Sequence, residues 1–433
     1  MRMASIPRES SIDSTLALLR DPYGFIGKRC RVLDADLFET RILLRRTICM
    51  MGRDAAALFY DEDRFARAGA APLRLQLTLF GKGGVQAKDG AAHRVRKAMF
   101  MSLMTPGSTD ALVAIADRWW TTYAARWARC ERVVLYDEVR EILFRSVCEW
   151  SGVPVPEDDV ARRTRDVTAL FDHAGDVGAT HWWARLARVR AERWLGAWIE
   201  DVRAGHYRVP ASSAASVVAT HREASGELLP PRVAAVELLN VIRPTVAVSV
   251  YVTFLATALH QHPHLRAGLG DARNLDAFVD EVRRYYPFFP AVAARVRDTF
   301  EWRGYRFDRG VRTMLDLYGT NHDPRTWTDP ASFWPERFLR REQSVYGFVP
   351  QGGGDHLQGH RCPGEWITVA LMKAAARMLT TRLRYEVPEQ DLDTDFARLP
   401  ALPKSRFVMT SVFIDDPGRS LEPVPASPIS AGA

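Results

Sequence analysis

The stretch QGGGDHLQGHRCPGEWITVALMKAAARML, residues 351–379, sets Cys362 directly before a run with helical spacing from about 364 to 384. A thiolate placed there faces the positive end of a helix dipole, which favours its ionised form. Gly352, Gly353 and Gly354 let the backbone approach a flat ligand closely. His360 and Arg361 follow in the same loop, and Lys97 stands in the upstream stretch DGAAHRVRKAMFMSLM, residues 89–104. All three offer positive charge to carboxylates on such a ligand. Taken alone, a cysteine before a helix is more often a small buried residue than a ligand.

Two features upstream change the weighting. Glu281 and Arg284 stand three apart on one predicted helix, so their side chains meet. Pro335-Glu336-Arg337-Phe338 follows. A helical Glu-x-x-Arg by itself reads as a solvated ion pair. The order Glu-x-x-Arg, Pro-Glu-Arg-Phe, then a Gly-rich loop ending in His-x-Cys-x-Gly resembles the cytochrome P-450 superfamily. The resemblance implies a mainly α fold, a helical prism with small β-sheets enclosing a haem. It implies haem b held through Cys362, with Gly353, Gly354, His360 and Arg361 against the cofactor. It also implies a buried network of Glu281, Arg284 and Arg337 that fixes the cysteine loop. Such networks cost desolvation and are explained better as specifying geometry than as adding stability. A thiolate ligand favours cleavage of an O–O bond.

The rest of the chain agrees with one domain over 1–414 and a Pro/Ser-rich, mobile tail over 415–433. The 433 residues are 47% hydrophobic and 26% charged, which excludes a disordered chain. The net charge of +7 comes without a dense basic block interleaved with aromatics, so it suits anionic ligands and not nucleic acid. Five scattered cysteines without a CxxC point to a reducing, cytoplasmic compartment. The N-terminus carries no signal peptide or membrane anchor. Residues 11–28 read as a helix, 30–50 as strands, and 89–104 as an amphipathic helix opened by Asp89. Helical patterns fill 108–205 apart from Pro154 and Pro156, and 211–230 reads as a loop. Residues 231–261 form a long apolar helix, buried and not membrane-spanning, because Arg243-Pro244 interrupts its apolar run. A helix over 275–286 and a hairpin within 299–317 complete the pattern.

That long helix departs from the ordinary superfamily. Ordinary members carry an acid–alcohol pair there, which delivers protons. Here it reads Asn240-Val241-Ile242-Arg243-Pro244-Thr245, without an acid, and Glu237 is expected on the surface. Arg243 either snorkels out or serves a ligand. Pro244 breaks the hydrogen bonding beside it. A guanidinium above the cofactor grips a carboxylate in bidentate fashion.

The segments LFGKGGVQAKDGAAHRVRKAMFMSLMT, RPTVAV, EVRRYYPFFP, LDLYGTNHD, QGGGDHLQGHRCPGEW and VPEQDL are similar to the fatty-acid peroxygenase family of cytochromes P-450. So is the long spacing from Phe348 to Cys362. The resemblance implies hydrogen peroxide as oxidant and a long-chain fatty acid as substrate, with no redox partner protein. It implies that Arg243 anchors the substrate carboxylate, which itself acts as general acid–base, with Pro244 in place of the acid–alcohol pair. Phe80, Phe171 and Phe289 match pocket positions, and the bulk of Phe171 favours reaction at the α carbon over the β. His93 and Lys97 match haem-propionate contacts. Gln86 stands where alkene-forming members have His. The rival readings are an alkene-forming decarboxylase, a monooxygenase served by redox partners, and a haem sensor without turnover. Arg243 in an apolar helix speaks against the last two.

Overall fold

The computed structural model describes residues 5–340 and 343–414, so the tail expected from 415 onward lies outside the described residues. The core is built around one helix, Pro231–Gln261. Nearly every residue from Ala234 to Leu259 on it is buried. A helix apolar on all sides needs cover on all sides. The helices Leu135–Ser151, Glu157–Asp172, Ala179–Arg203 and Glu365–Arg377 supply it. By length and composition the central helix would cross a membrane, but its most apolar window is 94% buried inside the protein. Pro244 sits within it without ending it. Proline has no N–H to give, so the Asn240 carbonyl lacks its helical donor there.

A five-stranded sheet closes one side, in the order Leu37–Ile42, Arg45–Met50, Arg312–Asp316, Ala291–Val296, Phe65–Ala66. Arg45–Met50 runs parallel to Arg312–Asp316, with Thr47 opposite Arg312, and the other pairs are antiparallel. A second apolar core, with Ile48, Phe59, Phe65 and Leu315, lies under this sheet. The expected hairpin is present as Phe300–Trp302 and Tyr305–Phe307. Arg303 and Gly304 turn it with φ of 49° and 79°, the left-handed pair that a two-residue hairpin turn requires.

Three local expectations are corrected. Residues 11–28 form two helices, Thr15–Arg20 and Phe25–Val32, because Pro22 cannot continue the first. Within the expected loop 211–230 lies a helix, Ala214–Thr220. The Ser213 hydroxyl caps it by accepting from the Ser216 N–H, and Ala215 and Val218 bury its inner face. Asp89 does precede the helix Gly90–Ser102, but its carboxylate does not cap it. It accepts instead from the backbone N–H groups of Arg67 and Ala68 at 2.7 and 3.0 Å.

Candidate active site

The chain between Asn321 and Cys362 is braced at two places. Near its start, the fully buried Glu281 carboxylate takes Arg284 Nε and Nη2 at 2.7 and 2.8 Å and lies 3.3 Å from Arg337 Nε. It also accepts the Trp334 N–H at 2.7 Å. Arg284 donates onward to the carbonyls of Asn321, Pro330 and Ser332, and Arg337 to those of Thr328, Asp329, Ser332 and Trp334. The expected three-residue network is therefore present. Its guanidinium groups serve as cross-braces for an irregular segment that has no sheet or helix to satisfy its carbonyls.

At its end, the Cys362 N–H donates to the Gln351 carbonyl at 3.1 Å, and His356 Nε2 donates to the Cys362 carbonyl at 2.9 Å. Gly352 and Gly354 take φ of 95° and 80°. A side chain on Gly353 would lie 2.7 Å from the Val345 carbonyl oxygen. The glycines thus answer to close packing against Val345 and Tyr60, neighbours that the sequence reading did not foresee. Burial raises the Cys362 thiol pKa, and Glu365 adds to this, while the Gly364 N–H and Lys97 pull it down. An iron bound to the sulfur would favour the thiolate.

Arg361 does not stand free for a ligand. It grips Glu365 with Nε and Nη2 at 2.6 and 3.0 Å. Buried Arg283 donates to the same carboxylate. Burial raises the Glu365 pKa, but Arg283 and Arg361 outweigh it and hold the group at about 2. Lys97, from the Gly90–Ser102 helix, donates to the Arg361 carbonyl. Burial pushes Lys97 down to about 8, against the pull of the nearby Cys362 sulfur. The His93 and His360 rings stack at 3.8 Å, and His93 Nδ1 is buried without a partner. Burial and the adjacent His360 push His93 down to about 3. Arg67, absent from the sequence reading, lines the same region beside Tyr60 and His360. Its charge had no local signature of function, because only the fold carries it there.

The central helix Pro231–Gln261 carries the other candidate residues. Arg243 is 7% exposed, and its Nε has no partner. Its one hydrogen-bonded partner is Asn240 Oδ1, 3.3 Å from Nη2, and among the described residues no carboxylate pairs with it. Burial and the guanidinium of Arg188 lower its pKa, while the Cys362 sulfur raises it. An arginine keeps its charge through such a shift. Glu237, expected on the surface, is wholly buried and ion-paired with Arg96. Arg96 arrives from the Gly90–Ser102 helix, 141 residues away in sequence, which no local pattern announces.

A cavity of about 360 Å³ is lined by Phe80, Gln86, Phe289 and His360, with Leu75, Leu79 and Val292 among its apolar walls. Phe80 ends a π-helical turn, Gln76–Phe80, whose Thr78 and Leu79 carbonyls accept from buried Arg188 at 2.9 and 3.0 Å. Phe171 is fully buried in the main core but does not line this cavity. The donor set fits a haem. Cys362 supplies a sulfur, and the unpartnered His93 Nδ1, with Lys97 and Arg67, supplies polar and cationic groups for propionates.

A family model described as cytochrome P-450 matches residues 270–409. The solved structure of cytochrome P-450SP alpha (CYP152B1) in complex with (R)-ibuprofen is 51% identical, with a TM-score of 0.92, over 93% of this chain and 100% of that one. Cytochrome P-450EX alpha (CYP152N1), solved with myristic acid, is 44% identical, also with a TM-score of 0.92, over 95% of this chain and 99% of that one. Dimethylnonatriene synthase of Arabidopsis thaliana is 32% identical over 136 residues, and the chain covers only 26% of that relative's length.

Proposed function

The chain belongs to the cytochrome P-450 superfamily, with CYP152 members as relatives over nearly its whole length, and on that premise we propose that it is a peroxide-dependent fatty-acid hydroxylase acting at the α or β carbon. The observation that carries this reading is Arg243, a buried guanidinium with one neutral partner and an unpartnered Nε. A buried cation without a counter-ion is costly, and an incoming carboxylate removes that cost with two parallel hydrogen bonds. The ligands named for the two solved relatives, ibuprofen and myristic acid, are both carboxylic acids.

Haem b, bound through Cys362, supplies the oxidising chemistry with hydrogen peroxide. The chain's own residues place the substrate and its proton. No acid side chain stands among Asn240–Thr245, and Gln86 and Asn240 are neutral amides. Glu237 is committed to Arg96. The acid–base role therefore falls to the substrate carboxylate held at Arg243, with Pro244 where an acid–alcohol pair would stand. The chain offers no side-chain acid beside Arg243 for the proton relay of a reductase-driven member, which supports peroxide as the oxidant without a redox partner. The acyl chain is assigned to the cavity lined by Phe80 and Phe289, which Gln86 lines too and so joins, through Asn240, to Arg243. With the carboxylate pinned, the carbons next to it are presented for oxidation and the chain end is not. Gln86 cannot titrate, which disfavours the decarboxylating route to a terminal alkene.

The test is product analysis with a saturated long-chain acid and hydrogen peroxide, without any reductase. A 2- or 3-hydroxy acid is expected. A dominant terminal alkene, or no turnover until a reductase is added, overturns the reading.

A further inference from the structure

Glu237, Asn240 and Arg243 follow one another at intervals of three on the central helix, so each meets the next along one face. Behind them, buried Arg96 bridges two acids. It donates to fully buried Glu237 with Nη1 and to partly exposed Glu223 with Nη2. We propose that the Arg96–Glu237 pair is a positioning device for the anion site, which fixes the Asn240 side chain and through it Arg243 and Gln86.

The argument is one of donors and acceptors. An ionised carboxylate only accepts. Glu237 Oε2 therefore takes Asn240 Nδ2, at 2.8 Å. The same Nδ2 reaches Gln86 Oε1 at 3.3 Å. Both amide hydrogens are then spent, and the one acceptor left, Oδ1, meets Arg243 Nη2. Turning the amide over would set oxygen against carboxylate and NH2 against guanidinium, two repulsions in a buried place. Burial raises the Glu237 pKa, and Arg96 and Asn240 pull it back toward the ionised form that accepts. The turn bearing Gln86 is held to the same spot. A side chain on Gly84 would lie 2.9 Å from Asn240 Nδ2, so the backbone packs directly on the amide. Arg243 is thereby held by a neutral acceptor, and its Nε is left buried without a partner.

This inference rests on the reading that Arg243 takes the substrate carboxylate. The experiment uses haem-loaded enzyme and equilibrium dialysis with two probes, myristic acid and 1-tetradecanol. Asn240→Leu should weaken myristic acid binding about tenfold, the scale of a lost hydrogen bond to a charged group, and leave 1-tetradecanol unchanged. Glu237→Leu should do the same. Glu237→Gln should recover part of the loss, because its amide oxygen still accepts from Asn240. Should Glu237→Leu fail to fold, Glu237→Gln tests the pair, because it keeps the shape and loses the charge, and a myristic acid affinity equal to that of the unaltered enzyme overturns the proposal. Equal weakening of both probes would mean a structural role only and overturns the proposal. So does undiminished myristic acid binding. If the unaltered enzyme holds the alcohol as tightly as the acid, it is the function of Arg243 that fails.

Discussion

Arg284 and Arg243 are both buried arginines on long helices, and their surroundings are opposite. Arg284 gives two bonds to one carboxylate and three to carbonyls, and Arg337 shares the same carboxylate. Arg243 gives one bond to a neutral amide and leaves Nε without a partner. A saturated guanidinium can do nothing further, so the first cluster serves as scaffold for residues 321–334. An unsaturated one stores the cost of burying a charge until an anion arrives. The same residue type therefore reads as scaffold or as site according to how many of its donors the chain itself satisfies.

The comparison breaks most readily at Arg284. Arg284→Ala strands Glu281 in the interior, which costs about 3–5 kcal/mol. Haem-loaded protein should fail to accumulate, as judged by the thiolate absorption of the purified chain. A variant with the melting temperature and haem content of the parent would show that the network is not what fixes that segment.

Arg243→Ala should behave in the opposite manner. It removes a buried charge that has no counter-ion, so the melting temperature should stay level or rise. Fatty-acid turnover should fall by roughly two to four orders of magnitude, taking the loss of a buried ion-pair partner at about 1.4 kcal/mol per tenfold. Arg243→Lys should recover only part, because the planar fork is lost. A large drop in melting temperature would place Arg243 with Arg284 as scaffold.

A gentler test leaves the chain intact. A short carboxylic acid, added with peroxide, should restore oxidation of small substrates that lack a carboxyl group. It would fill the Arg243 site and supply the missing acid–base. Rates that ignore the added acid would count against substrate-assisted proton transfer.

The smallest expected effect is on product identity. Gln86 lines the cavity and touches the Arg243 neighbourhood only through Asn240. Gln86→His introduces a group that titrates near neutral pH. Part of the hydroxy acid should give way to terminal alkene in a chromatographic analysis. An unchanged product ratio would mean that the distal amide does not govern the branch.

Some of this was legible in the residues alone because helix geometry makes it local. Glu281 and Arg284 had to meet, whatever the rest of the chain did. The apolar pattern of 231–261, interrupted at Arg243-Pro244, called for a buried helix, and the Gly-rich run before Cys362 called for an irregular loop. The resemblance then named the chemistry that these elements serve. What stayed hidden was whether each charged residue is buried and which partner covers it. Glu237 read as a surface acid because its partner lies 141 residues away. Arg361 read as a contact for a flat ligand although Glu365, four residues on, was within local reach, and only the share of Arg283 in that carboxylate needed two helices to pack. Arg67 had no signature at all, and Phe171 matched a pocket position yet lies in the core, off the cavity wall. Sequence determined the elements, the sulfur and the arginine in the apolar helix, since periodicity and spacing are properties of the chain itself. Tertiary structure decided which charges are satisfied, because a counter-ion is set by distance in space and the chain records only distance along itself.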